Sequence, residues 1–240
     1  MTTSSPVVFV TGGSRGMGLA IVKRFQELGY RVATCATTEA SARSSGAELA
    51  LACDVADRDQ VREAIAQVVK KFGSLDVVVN NAGLAGTNVL DPSDDDEFWH
   101  RIIDVNLHGT YYVSKYALPH LSQGGRIINI ASVLALKGVP DQTAYCAAKH
   151  GVLGLTRAMA HAVADRKITV NTICPGWTRT DMALGRFSEL GMTEESLKSS
   201  VPLGRFIEPE EVAALVAYLA SDSASGITGQ SFTIDGGVLA

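Results

Sequence analysis

Short, unbroken apolar runs alternate with helix-patterned stretches along nearly the whole 240-residue chain, and this alternation constrains the fold more than any other feature. Residues 6–10, 31–36, 48–53, 75–79, 125–131, 168–173 and 230–235 read as strands. Runs this continuous suit strands buried on both faces, which is the condition of a parallel sheet covered by helices. Helical periodicity occupies 19–28, 57–71 (inner face Val61, Ile65, Val68 and Val69), 98–109, 111–116 before Pro119, 143 to about 164, and 210–220 after Pro209. Successive βα units give right-handed crossovers and a single α/β domain spanning 1–240. The stretch 178–205 carries Met182, Leu184, Phe187, Leu190 and Met192 without a strong core pattern. It reads as a long substrate loop. There is no internal repeat, linker or low-complexity segment.

Charge and cysteine usage narrow the function classes. A formal net charge of −4 with dispersed signs offers no basic stripe for a nucleic acid and no polybasic patch for a membrane. The opening Met1 to Pro6 has neither a basic n-region nor an apolar run, so it reads as a short disordered lead-in, not a signal peptide or a span. Cys35, Cys53, Cys146 and Cys174 lack CxxC or zinc spacing and are expected to be reduced, packed thiols of a cytoplasmic protein. The acidic run at 94–97 is read as capping the next helix, and no metal site is expected.

Three places carry chemistry. The first is Thr11-Gly12-Gly13-Ser14-Arg15-Gly16-Met17-Gly18, lying between a strand and a helix. Backbone N–H groups at such a helix start hold a pyrophosphate, and glycines let the backbone approach it. The second is the tip of the second strand, where Ala36-Thr37-Thr38 stands in the place of the acid that takes an NAD ribose. With Arg15 able to reach the same ribose, NADP(H) is the expected cofactor, and Glu39 is read as starting a short helix. The third is Ser132, Tyr145 and Lys149. Tyrosine and lysine four apart share a helix face, and the serine falls at the carboxyl edge of a strand, where open α/β sheets bind ligands. An ordinary helix face could also carry such a pair.

Taken together, T-G-x3-G-x-G at Thr11–Gly18, N-N-A-G at 80–83, Asn106, Ser132, Y-x3-K at 145–149 and P-G at 175–176 resemble the short-chain dehydrogenase/reductase family over essentially the whole chain. The resemblance implies a Rossmann fold with a seven-stranded parallel sheet ordered 3-2-1-4-5-6-7, commonly assembled as a homotetramer or dimer. It implies that Tyr145 is the acid, that Lys149 lowers its pKa and holds the nicotinamide ribose, that Ser132 donates to the substrate oxygen, and that Asn106 keeps a water linking Lys149 to solvent. Bringing a phenol from about 10 to neutrality takes about 3 units, or about 4 kcal/mol. It further implies that Gly12, Ser14, Arg15, Gly16 and Met17 line the pyrophosphate and adenosine ribose, with Thr37 at the 2′-phosphate. Asp54 and Val55 are expected at the adenine, Asn80, Ala82 and Gly83 beside its ribose, and Pro175, Gly176 and Thr178 at the nicotinamide. Ile173 and Trp177 need not touch the cofactor.

Within the family the chain is most similar to bacterial 3-oxoacyl-[acyl-carrier-protein] reductases and acetoacetyl-CoA reductases, from its length, the segment 36–39 and the ending Ile227-Thr228-Gly229-Gln230 with Asp235-Gly236-Gly237. The resemblance implies NADPH-dependent reduction of a 3-oxoacyl thioester. Arg166 matches one basic position that faces an acyl carrier protein, but the other is Gln123, which brings a CoA thioester or a small free ketone into competition. A secondary-alcohol, steroid or sugar dehydrogenase, and a non-catalytic NADP-binding sensor, are the alternatives. Val133, Leu134, Ala135 and Leu136 suit an acyl or alkyl ketone better than a polyol.

Overall fold

The computed structural model describes residues 5–240, so most of the expected N-terminal lead-in, residues 1–4, lies outside the described residues. Seven parallel strands form one sheet: β1 (Val7–Thr11), β2 (Arg31–Ala36), β3 (Leu49–Ala52), β4 (Leu75–Asn80), β5 (Leu121–Ile130), β6 (Thr169–Pro175) and β7 (Ser231–Ile234). Their order is β3-β2-β1-β4-β5-β6-β7, the order the family resemblance implies. Among the described residues, nine α-helices connect and flank them: α1 (Gly16–Glu27), α2 (Glu39–Arg43), α3 (Arg58–Phe72), α4 (Glu97–Ile103), α5 (Gly109–Ala117), α6 (Thr143–Ala162), α7 (Asp181–Glu189), α8 (Glu194–Lys198) and α9 (Pro209–Ala220).

The strands are apolar over most of their central positions because both faces are covered. Val8 and Val10 face α1 and α9, packing with Ile21, Phe25, Val212 and Val216. Val7 and Phe9 face the other layer, with Val61, Ile65 and Val68 of α3 and Val113 and Ala117 of α5. Val69 is only partly buried at the margin of that layer. α3 starts at Asp57, whose carboxylate accepts from the Asp59 and Gln60 N–H groups, and stops at Gly73 in the left-handed region (φ 83°). No helix among the described residues is long and apolar enough to cross a membrane.

Three expectations are corrected. The stretch 178–205 is not an open loop: α7 and α8 are capped by Thr180 and Thr193 and share a small core of Ala183, Phe187, Leu197, Val201 and Phe206 with Trp177. Its aromatic spacing was too sparse to show helical periodicity, but Phe187 stacks edge-on against Trp177 at 5.1 Å. The acidic run caps α4 only in part: Asp96 at the N-cap has φ 61° and makes no capping bond, but the Asp95 carboxylate accepts from the Glu97 N–H at 3.1 Å and Glu97 lies in the first turn. The helix through Asn106 is not uniform either, because a π-helical turn (Asp104–His108) separates α4 from α5.

Ile65 is 1% exposed in the layer beneath β1 and β2. Ile65→Ala is expected to destabilise the protein by about 3 kcal/mol, with the urea slope unchanged, read from the midpoint of denaturation.

Candidate active site

Because the sheet is parallel, the carboxyl ends of β1, β4, β5 and β6 meet at one edge, and the chemistry-bearing residues collect there. The edge is held together by Thr11. Its buried hydroxyl accepts from the Asn81 and Ala82 N–H groups, both at 3.0 Å, and donates to the Val79 carbonyl. Asn81 Nδ2 returns the link by donating to the Thr11 and Gly12 carbonyls at 2.9 and 3.1 Å. The glycine turn is seated from the other side by the Cys35 carbonyl, which accepts from the Gly12 and Gly13 N–H groups. Gly12 has φ 67°, and a Cβ there would stand 2.9 Å from Ala82 Cα, so the turn and the segment after β4 approach too closely for any side chain.

This turn fits a dinucleotide pyrophosphate. α1 begins at Arg15, which is extended and makes no side-chain cap, and no acid lies in the first helical turn. The first N–H groups and the positive end of the dipole are therefore left for an anion. Ser14, Gly16 and Met17 border the same opening in sequence, and Arg15 is exposed with no ion pair among the described residues. At the tip of β2, Thr38 caps α2, whereas the Glu39 carboxylate is bound by Arg43. The nearest carboxylate is thus neutralised, and Thr37 is exposed beside it.

Asp54 and Val55 follow β3. The Asp54 carboxylate accepts from the Ala56 N–H and pairs with Arg101 at 2.8 Å, while Val55 is buried where a Cβ on Gly109 would touch it. Asn80 does not stand at the edge, which corrects the expectation for its side chain. It is 3% exposed, and Nδ2 donates inward to Ser114 Oγ (2.9 Å) and Asn129 Oδ1 (2.7 Å) while its own Oδ1 is unpartnered. Asn81 is the amide that reaches the turn. Asn129 passes the chain of bonds on to Thr156 and Thr172. Of these polar residues under the edge, Ser114, Asn129, Thr156 and Thr172 did not stand out in the sequence, since each sits singly inside an apolar run or helix. Pro175 closes β6, Gly176 donates its N–H to the Ile234 carbonyl, and the buried Thr178 donates to the Gly176 carbonyl. Ala82 and Gly83 lie between these two walls.

Ser132, Tyr145, Lys149 and Asn106 converge beyond Gly83. A Cβ on Gly83 would lie 2.9 Å from Asn106 Oδ1 and 3.6 Å from Lys149 Nζ, so this glycine marks where the two meet. The π-helical turn supplies Asn106, whose Nδ2 donates to the Leu84 and Ile102 carbonyls at 2.7 and 2.9 Å. Ser132 follows β5 in extended conformation, and its Oγ accepts from the Leu134 N–H at 3.1 Å, which fixes the hydroxyl. Lys149 is 4% exposed, has no carboxylate partner, and donates to the Ile130 carbonyl at 3.0 Å.

The electrostatics differ from the sequence expectation. Tyr145 is partly exposed, and the packing around it pushes the phenol up to about 12 while neighbouring Ser132 pulls it down. Lys149 Nζ is 5.5 Å from the Tyr145 ring centroid and is aimed at Ile130, so it does not bring the phenol toward neutrality in the protein alone. Burial lowers Lys149 itself to about 8, and raises the buried Cys174 thiol behind it to about 11. Cys146 beside Tyr145 is partly exposed and disulfide-free. Among the described residues, no cluster of three or more His, Cys, Asp or Glu could hold a metal.

Residues 12–239 match the family model described as enoyl-(acyl carrier protein) reductase. The chain is 40% identical to the 3-oxoacyl-[acyl-carrier-protein] reductase of Staphylococcus aureus, over 95% of this chain and 96% of that protein. A tryptophan variant of actinorhodin polyketide ketoreductase, solved with NADPH, superposes with a TM-score of 0.92 at 37% identity, covering 99% of each chain. Ligand-free aldohexose dehydrogenase of Thermoplasma acidophilum superposes with a TM-score of 0.89 at 36% identity, covering 98% of this chain and 94% of that one.

The folded pKa of Lys149 lies below its unfolded value of 10.5. The cost of burying the ammonium is therefore fully present below pH 8 and disappears as pH rises from 8 through 10.5. Lys149→Met is expected to gain up to about 3 kcal/mol at pH 7, less what the orphaned Ile130 carbonyl loses. The gain should shrink toward zero near pH 10.5 in paired thermal melts.

Proposed function

The chain belongs to the short-chain dehydrogenase/reductase family of oxidoreductases, and on that premise we propose that it reduces a 3-oxoacyl thioester to the 3-hydroxyacyl product with NADPH. The observation that carries this reading is the meeting at one sheet edge of a phenol, a serine hydroxyl anchored by the Leu134 N–H and a buried ammonium with a single partner among the described residues. Bound NADPH supplies the hydride for the carbonyl carbon. The chain's own residues supply the rest. Arg15 and Thr37 take the 2′-phosphate, the start of α1 takes the pyrophosphate, and the two unshared N–H donors of Lys149 take ribose hydroxyls. The Ser132 hydroxyl, anchored by the Leu134 N–H, turns its proton toward the carbonyl oxygen as charge grows there. Tyr145, protonated throughout the neutral range, gives that oxygen its proton, and Asn106 holds the water by which Lys149 and Tyr145 recover it.

Apolar surface beside the acid favours an acyl chain. Val133 and Ala135 are buried under Ser132, and Leu136, Met182, Leu184, Leu190 and Met192 are exposed around the opening. The carrier is a separate matter. Arg166, the one cation at a carrier-facing position, donates to the Leu118 and Leu121 carbonyls, where it ties the turn after α5 to β5. With Gln123 at the other position, steering of an acidic carrier protein loses most of its charge, which favours a CoA thioester.

Tyr145→Phe is expected to keep NADPH binding, read by fluorescence titration, while kcat falls by about 100-fold to 10,000-fold. Near-normal turnover would sink the assignment. Arg15→Ala is expected to raise KM for NADPH by about 10-fold or more and leave KM for NADH unchanged. A panel of 3-oxoacyl-CoA, the matching carrier-protein thioester and small ketones, followed as NADPH oxidation, tests the substrate. Turnover of the free ketones alone would overturn the thioester reading.

A further inference from the structure

The two-helix segment over the site is fastened across the cleft at one place. Among the described residues, the cross-cleft hydrogen bonds from 180–200 to the walls at 84–93 and 133–143 all run through Arg186 or Glu189 of α7. Arg186, its side chain only 10% exposed, forms an ion pair with Asp141 and donates to Thr87 Oγ1 at 2.7 Å. The same guanidinium binds Glu189 at 2.7 Å, and Thr87 Oγ1 donates onward to that carboxylate. Both receiving walls belong to the frame of the acid. The Asp141 carbonyl accepts from the Asn88 N–H, and Asn88 Oδ1 accepts from Thr143 Oγ1 and the Ala144 N–H at the start of α6, one residue before Tyr145.

The base of the segment is pinned independently. Arg179 N–H donates to the Ile207 carbonyl and Ile207 N–H to the Trp177 carbonyl, both at 2.9 Å, while the Arg179 guanidinium pairs with Glu194 and Glu208. Phe187, next to Arg186, is buried against Trp177 and Phe206. A segment rooted at 177–179 and 207 and tied at its far side by one arginine can swing only about its root. Its exposed Met182, Leu184, Leu190 and Met192 would swing with it.

We propose that Arg186 is a specificity-determining bolt: joined to Asp141 and Thr87 it closes α7 over the mouth of the pocket, so that short ketones are processed beneath the closed helix and long acyl chains enter only when the bolt opens. This rests on the ketoreductase reading for its substrates but not for its closure. A guanidinium held nine-tenths out of water by two carboxylates and a hydroxyl favours one discrete closed arrangement. Its release parts the guanidinium from Asp141 and Thr87 across the cleft, while the Arg186–Glu189 pair, both on α7, moves with the helix.

The test uses the full chain and the variants Arg186→Met, Arg186→Lys and Asp141→Asn, with folding checked by thermal melts. Chymotrypsin cleavage after Phe187 or Leu190 reads closure without any substrate. It is expected to speed up about 10-fold in Arg186→Met and Asp141→Asn, to be intermediate in Arg186→Lys, and to speed up no further in the double variant. The ratio of kcat/KM for a long-chain 3-oxoacyl thioester to that for a short 3-oxo ester is expected to rise about 5-fold or more in the same two variants. Cleavage at the wild-type rate in both, or an unchanged ratio, overturns the bolt. If Arg186→Met does not fold, Asp141→Asn decides alone. Wild-type chain that reduces neither ketone sinks the reductase reading, and the cleavage rates then judge the closure by themselves.

Discussion

The Thr11 hydroxyl is the stitch on which the site depends. It joins the end of β1 to the first residues after β4 by accepting two N–H groups, at a place 1% exposed where water is not there to replace it. Two halves of the site are set by that one join. The glycine turn and the free start of α1 lie on the β1 side, while Ala82 and Gly83 lie on the β4 side and lead to Asn106 and Lys149. A shift between the two strand ends would therefore move the anion-binding turn relative to the acid and its lysine. The absence of side chains at Gly12 and Gly83 lets the halves close to within contact distance once the hydroxyl has fixed their register.

Beneath the edge the sheet is not purely apolar. Ser114, Asn80, Asn129, Thr156 and Thr172 form a buried line of hydrogen bonds running from α5 through β4 and β5 to α6 and β6. Such a line specifies register more than it stabilises, because each member slipped by one residue would be left unsatisfied. The helix that carries Tyr145 and Lys149 is tied into it through Thr156. Asn80 Oδ1, which finds no partner, shows that even this line is tolerated at some cost.

The parallel, doubly covered sheet was legible from period and polarity, whereas the strand order and the roles of the candidate residues came from the family resemblance. Unbroken apolar runs betray a doubly covered sheet, and glycines, Ser132 and the Tyr145–Lys149 spacing are local signals. What escaped was whatever depends on partners distant in sequence. Asn80 and Asn81 are identical as letters, yet alternation along the strand turns one into the core and the other to the edge. Arg166 was matched to a carrier-facing position and Arg186 gave no signal in the sequence, yet one is occupied by carbonyls 45 and 48 residues away and the other by a carboxylate 45 residues away. The helices at 178–205 were obscured for a related reason: their core is completed by Trp177 and Phe206 from outside the segment.

For the proposed ketone reduction, the packing around Tyr145 and Lys149 bears on direction. Burial moves Tyr145 up and Lys149 down, each toward its neutral form, and at neutral pH the outcome is a protonated phenol beside a lysine still charged below its pKa of about 8. That is the starting state for delivering a proton to a carbonyl oxygen. Oxidising an alcohol needs the opposite start, a phenolate, and the raised phenol opposes it, with Ser132 pulling the other way. Once the proton has left, Lys149 is the nearest ammonium and attracts the new negative charge from 5.5 Å off the ring centroid. The lysine therefore acts on the state the reaction produces more than on the state it starts from. An interaction that strengthens as charge develops accelerates the step, whereas one already spent on the resting phenol would not.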